Sequence, residues 1–266
     1  NQWEQAADSM YTLCGKDRIH PSTDGHLVMA YLFLKAQGLA GKPVADIRID
    51  GAGKKVTRSD NCRVSDLSVS SDNLTFTYEA KSLPYPIDTS YYDNEKHTQA
   101  DALSVIPFMD EMNYEGLSVS GLLDGYYGLT IGGEFIGRFT ARELERGINM
   151  ALLQNTPQYK QAMKIRQMNE ERWLKERKMR EFYWVEYNLM RKTGMLWACN
   201  EAAVDTLRKY RPHDIFLTWN GALWLQYMHK GIREDCVNEQ QDLVNQIYEQ
   251  NKPIPLRIEI KKFTDL

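Results

Sequence analysis

The chain has 266 residues, 42% of them hydrophobic and 26% charged, with a formal net charge of −3. That composition suits a globular protein long enough to bury a full core and form more than one unit. The slightly acidic balance argues against a nucleic-acid surface, which needs a basic face, and no apolar run nears the roughly 18–20 residues that cross a bilayer. In chain order, Trp3 to Leu13 reads as a short helix, with Trp3, Ala6, Ala7, Met10 and Tyr11 at helical spacing. A loop, Lys16 to Ser22, follows. Asp24 is the expected N-cap of a helix over 25–38, whose Leu27, Val28, Ala30, Tyr31, Leu32 and Leu34 call for burial against a sheet and which Gly38 ends.

From Lys42 the period changes. Val44 to Asp50 alternates, and Asp50-Gly51 reads as a hairpin turn. Arg63–Val69 and Leu74–Glu79 make a second pair joined through Ser70-Ser71-Asp72-Asn73. Leu117–Ser120 with Tyr127–Ile131 makes a third, closed by Gly132-Gly133 before Glu134-Phe135-Ile136. Short strands at this spacing predict a small antiparallel sheet or sandwich. Between them, Ser82 to Asn113 is a long connection with Tyr85, Tyr91, Tyr92 and His97, either functional or a gap-filling wrap.

The C-terminal half is helical in pattern. Thr140-Ala141-Arg142-Glu143 is a capping box that starts a helix to about Leu153. Thr156-Pro157 starts a long helix to about Lys192, on the order of 50 Å, laced with charge pairs at four-residue spacing. Shorter helices are expected over Glu201–Tyr210, Gly221–Met228 and Arg233–Asn251, then an edge strand over Leu256–Ile260, since Pro255 and the lysines suit an edge.

Chemistry concentrates in Asp17-Arg18-Ile19-His20-Pro21. A general base is held in one tautomer by a carboxylate on its far ring nitrogen, and Asp-x-x-His on a tight loop can place both groups on one side. Other patterns are weaker. Asp50 to Lys55 lacks the spacing and following helix of a phosphate loop, and Gly132-Gly133-x-x-x-Gly137 lacks a dinucleotide context. Cys14, Cys62, Cys199 and Cys236 are far apart, either buried thiols or one or two disulfides. His26 fits a buried, hydrogen-bonded role, and His213 and His229 fit structural ones. No metal-ligand rhythm calls for a metal or cofactor. Ser22 lies too close to His20 in sequence to serve as its nucleophile, and Ser118 and Ser120 lie on a strand without a nucleophile elbow.

Asp17-Arg18-Ile19-His20-Pro21, followed by Gly25-His26-Leu27-Val28-Met29-Ala30, resembles the last block of the SGNH (GDSL-type) ester hydrolases. Leu83-Pro84-Tyr85-Pro86, Gly121-Leu122 with Gly125-x-Tyr127-x-Leu129-x-Ile131, and Gly147-Ile148-Asn149-Met150-Ala151 resemble the C-terminal extension of one bacterial branch. The resemblance implies that Asp17 and His20 are the acid and base of a Ser-His-Asp triad. The Gly-Asp-Ser block, the oxyanion-hole glycine block and the Gly-x-Asn-Asp block of that family are absent. The serine is therefore expected from an upstream segment or a companion chain, and the initial Asn suggests a processed or partial polypeptide. The expected fold is α+β: the end of an SGNH α/β layer (1–40), a small antiparallel β unit (41–136) and a helical region with one long helix (137–266). The resemblance implies a secreted or periplasmic esterase acting on an O-acylated carbohydrate. The alternative is a non-catalytic accessory module that binds a glycan or partner.

Overall fold

A computed structural model describes residues 12–14, 18–90 and 97–263. The chain divides into two compact units, Asn1–Met163 with Asn251–Leu266, and Lys164–Gln250. The boundaries expected from changes of period, at 40 and 136, do not coincide with these units, because the last strand returns to the first. The expected helix over 3–13 falls on residues 3–11, outside the described residues, and on Thr12 and Leu13, which are not helical.

The first unit is a two-sheet sandwich with helices. Helix α1 (Thr23–Ala36) is followed by β1 (Ala45–Asp50), β2 (Lys55–Asp60), β3 (Cys62–Val69) and β4 (Asn73–Ala80). After the long connection come α2 (Phe108–Glu111), β5 (Glu115–Ser120), β6 (Tyr126–Ile131), β7 (Glu134–Thr140), α3 (Ala141–Arg146) and β8 (Ile148–Asn149). One sheet has the order β2-β1-β5-β8; the other runs β3-β4-β9-β6-β7, with β9 (Leu256–Lys262) supplied by the C-terminal tail. Inward residues of both sheets, among them Ile47, Leu117, Phe76, Leu129 and Ile258, are fully buried in one core. The α+β architecture expected from the sequence is present.

Several local features depart from expectation. Strand β5 does not pair with β6; it lies parallel to β1, from Ala45 opposite Glu115 to Asp50 opposite Ser120. Strand β9 is not an edge: it bonds to β4 on one side and β6 on the other. Pro255 precedes the strand, so its missing N–H removes no ladder bond, and the charged Arg257 and Lys261 point away from the core that Ile258 and Ile260 enter. The capping box at Thr140 forms, with Glu143 N–H donating to its hydroxyl at 3.1 Å, but the helix stops at Arg146. Gly147 there has φ +93°, and the chain turns into β8 instead of continuing to Leu153. Gly132-Gly133 closes the β6–β7 hairpin as expected.

The second unit is helical. Helix α4 (Pro157–Val185) begins in the first unit, runs into the second and ends in a π-helical turn, Glu186–Met190. Then come α5 (Glu201–Tyr210), α6 (Ile215–Tyr227) and α7 (Lys230–Gln250). Phe182, Val185, Met190, Leu207 and Trp224 form their core. The buried Glu186 carboxylate accepts the Trp224 indole N–H at 2.7 Å and the Trp197 amide at 2.8 Å, so this interior acid is fully engaged. His213 is exposed, and the adjoining Asp214 N-caps α6. Among the described residues no helix is long and apolar enough to cross a membrane.

Candidate functional site

The Asp-x-x-His loop is pinched at its base. Cys14 and Pro21 form an isolated antiparallel bridge, and the Leu13 carbonyl accepts the Ser22 amide at 3.1 Å. The Ser22 hydroxyl lies 3.2 Å from that carbonyl and is also hydrogen-bonded to the Asp24 carboxylate. Asp24 is almost wholly buried in the first turn of α1, where the helix N-terminus favours negative charge, and accepts the Gly25 amide at 2.8 Å. Ser22, not Asp24, is the N-cap residue.

Gly25 explains the glycine in this motif. A Cβ at that position would sit 2.0 Å from the Leu13 carbonyl oxygen and 3.3 Å from the Pro21 Cβ. The backbone at Leu13 lies directly against the first helical turn, and only a residue without a side chain permits that approach. The helix end is equally well defined: Leu39 N–H bonds Leu34 O and Gly38 N–H bonds Lys35 O, the two bonds of a Schellman motif. Helix α1 packs through Leu27, Val28 and Tyr31 against Ala102, Ile106 and Phe108 of the long connection, not against a sheet.

This framework carries Arg18, Ile19 and His20 on an exposed segment. Asp17 lies outside the described residues, so its bond to His20 is an expectation only. The His20 imidazole is thus exposed on a loop closed at its neck. The structure adds His97, whose Nδ1 is 4.0 Å from the Asp24 carboxylate, across 73 positions of sequence. His26 is exposed on α1, contrary to the expected buried role. Ser22 is buried in the loop's neck, and Ser118 and Ser120 lie on β5, where the Ser120 hydroxyl is 3.5 Å from the Ile49 carbonyl.

Other chemistry-bearing groups lie elsewhere. Tyr85 stacks edge-on to Phe108 at 5.6 Å and accepts from Gln99 Nε2 at 2.7 Å, a packing role; Tyr91 and Tyr92 lie outside the described residues. All four cysteines are free: Cys62 and Cys236 are buried as expected of core thiols, while the exposed Cys199 lies 3.4 Å from His229 Nδ1. Among the described residues no cluster of three or more histidine, cysteine or acidic side chains is arranged to hold a metal ion. Glu115 is buried in the sandwich, accepts the Tyr78 hydroxyl at 2.8 Å and is approached by Gln158 Nε2 at 3.2 Å. Burial pushes its carboxyl up to about 7.

Fold and loop together define an α+β protein of two units, one carrying His20 on an exposed, pinned loop and the other helical. Residues 163–252, nearly the bounds of that unit, match the family described as the diltiazem deacetylase C-terminal helical domain. Across 98% of its length the chain is also similar to the solved structure of a gut microbial diltiazem-metabolizing enzyme, with 40% identity and a TM-score of 0.92. The chain spans 59% of that enzyme's length. No curated protein matches it.

Proposed function

We propose that this chain is the C-terminal portion of a serine-dependent ester hydrolase of the SGNH type, acting as a deacetylase. The observation that carries this reading is the 40% identity, over 98% of the chain, to a diltiazem-metabolizing enzyme. The match of the helical unit to a deacetylase family supports the same chemistry. Asp17 orients His20, and His20 takes the proton of a serine that attacks the acyl carbonyl; water then clears the acyl-enzyme. The serine and the donors that stabilise the oxyanion come from an upstream segment or a companion chain. The closed neck at Leu13, Pro21, Ser22 and Gly25 supports this role, because a base must be held in place to act.

The substrate is an O-acetyl ester, with an acylated carbohydrate as the natural class, and the protein works in the periplasm or outside the cell. Acetate release by the complete enzyme, from diltiazem, acetylated xylo-oligosaccharides and an aryl acetate, tests the reaction and its breadth. Failure on all three refutes the esterase reading. Cell fractionation tests the location, and recovery only from the cytoplasm contradicts it.

A further inference from the structure

The helical unit carries an open cleft of about 340 Å³ that the proposed chemistry does not use. Trp173, Arg177, Arg180, Glu181 and Trp184 of α4 line it, with Asn220 of α6. The α4 positions recur at three- and four-residue spacing and so share one face of the helix. Trp173 and Trp184 are separated by about 16 Å along the axis, at 1.5 Å per residue. The aromatic track continues beyond them: Trp184 meets the Phe216 ring at 5.4 Å, and Phe216 meets Trp219 at 5.5 Å. Trp173 is 47% exposed and Trp219 63% exposed. Trp184 between them is half-buried against the helical core, so it holds the row in place while Trp173, Phe216 and Trp219 offer exposed aromatic surface, the kind that marks a binding face.

Charge then selects the class of ligand. Arg177 is paired with Glu181 at 2.7 Å, and Arg180 with Glu176 at 2.8 Å. The Arg180 guanidinium also lies 5.6 Å from the Trp173 ring centre. Each cation in the cleft has its own carboxylate, so no uncompensated positive charge awaits a phosphate, a sulfate or an acidic polymer. What remains is a row of indole faces alternating with donors and acceptors. A ligand that fits both offers flat C–H faces and neutral hydroxyl groups, as a sugar ring does. The distance between Trp173 and Trp184 calls for several rings in line.

We propose that this cleft binds a neutral oligosaccharide, with Trp173 and Trp184 stacked on sugar rings and Arg177, Glu181 and Asn220 bonded to hydroxyls. The proposal does not rest on the esterase reading, since binding is measured without turnover. The probes are cellotetraose, xylotetraose and mannotetraose, titrated calorimetrically into the full protein and into Trp173→Ala and Trp173→Phe variants. At least one tetrasaccharide binds the wild type. Trp173→Ala weakens it about three- to tenfold, the worth of one aromatic contact, while Trp173→Phe retains most of the affinity. Unchanged thermal unfolding of the variants separates this loss from misfolding. Absence of binding across the panel overturns the proposal, as does binding unaffected by Trp173→Ala. Salt-sensitive binding of heparin without binding of neutral sugars overturns it too. So does a dimer, seen by sedimentation and abolished by Trp173→Ala, which would make the face a contact between copies.

Discussion

Replacing Glu115 with glutamine tests how the sandwich interior handles a strongly perturbed carboxyl. Burial raises that group from an ordinary value of 4.5 to about 7, against the opposing hydrogen bonds from Tyr78 and Gln158. Between these two values the folded protein binds more protons than the unfolded chain, so stability falls as pH rises. The contribution is whole below about pH 4.5 and gone above about pH 7, some 2.5 pH units at about 1.36 kcal/mol each, or about 3 kcal/mol. Glutamine has the same shape and no charge to desolvate. Its carbonyl oxygen still accepts from Tyr78, and its amide can donate to Gln158 Oε1, a buried atom with no hydrogen-bond partner among the described residues, once the Gln158 amide rotates. Glu115→Gln therefore gains stability relative to wild type as pH rises from 5 to 8, by up to about 3 kcal/mol. Hydrogen exchange of the β5 amides reads this unit without interference from the helical one. Parallel pH profiles for the two proteins would refute the account of Glu115.

Further substitutions test particular contacts. Gly25→Ala drives a methyl into the Leu13 carbonyl and opens the neck of the histidine loop; deacetylation by the complete enzyme falls at least about tenfold, because misplaced catalytic groups lose rate steeply. Wild-type turnover in that variant would show the neck to be irrelevant. Trp224→Phe leaves the buried Glu186 carboxylate without its indole donor and costs about 1–3 kcal/mol, read by urea unfolding of the helical unit. A loss within error would mean that the Trp197 amide alone satisfies the Glu186 carboxylate. Thr140→Ala removes the capping box of α3 and costs about 1 kcal/mol, measured by the same method on the sandwich unit.

What could be read from the sequence was what is decided locally. The capping box at Thr140-Glu143, the Gly132-Gly133 hairpin and the helix over Glu201–Tyr210 lie where residue chemistry placed them, because their determinants sit within a few positions. Long-range pairing was not legible. Nothing in Leu117-Ser118-Val119 says that it lies parallel to β1, and the charged alternation of β9 looks like an edge until two neighbours cover it. In the site, the histidine loop stood out as a motif, but its support did not. His97 reaches Asp24 from a distant segment with no local signal. Gly25 did carry one: a glycine in the first turn of an apolar helix costs helix stability and implies that another backbone must pass close by.

The most direct test of the central claim is the rate of acetate release by the complete enzyme with His20 replaced by alanine, compared with Asp17→Asn and wild type. Loss of about 10²–10⁴-fold in His20→Ala, with unchanged thermal unfolding and a damaging Asp17→Asn, is the result expected of a general base and the group that orients it. Wild-type turnover from His20→Ala would contradict the account.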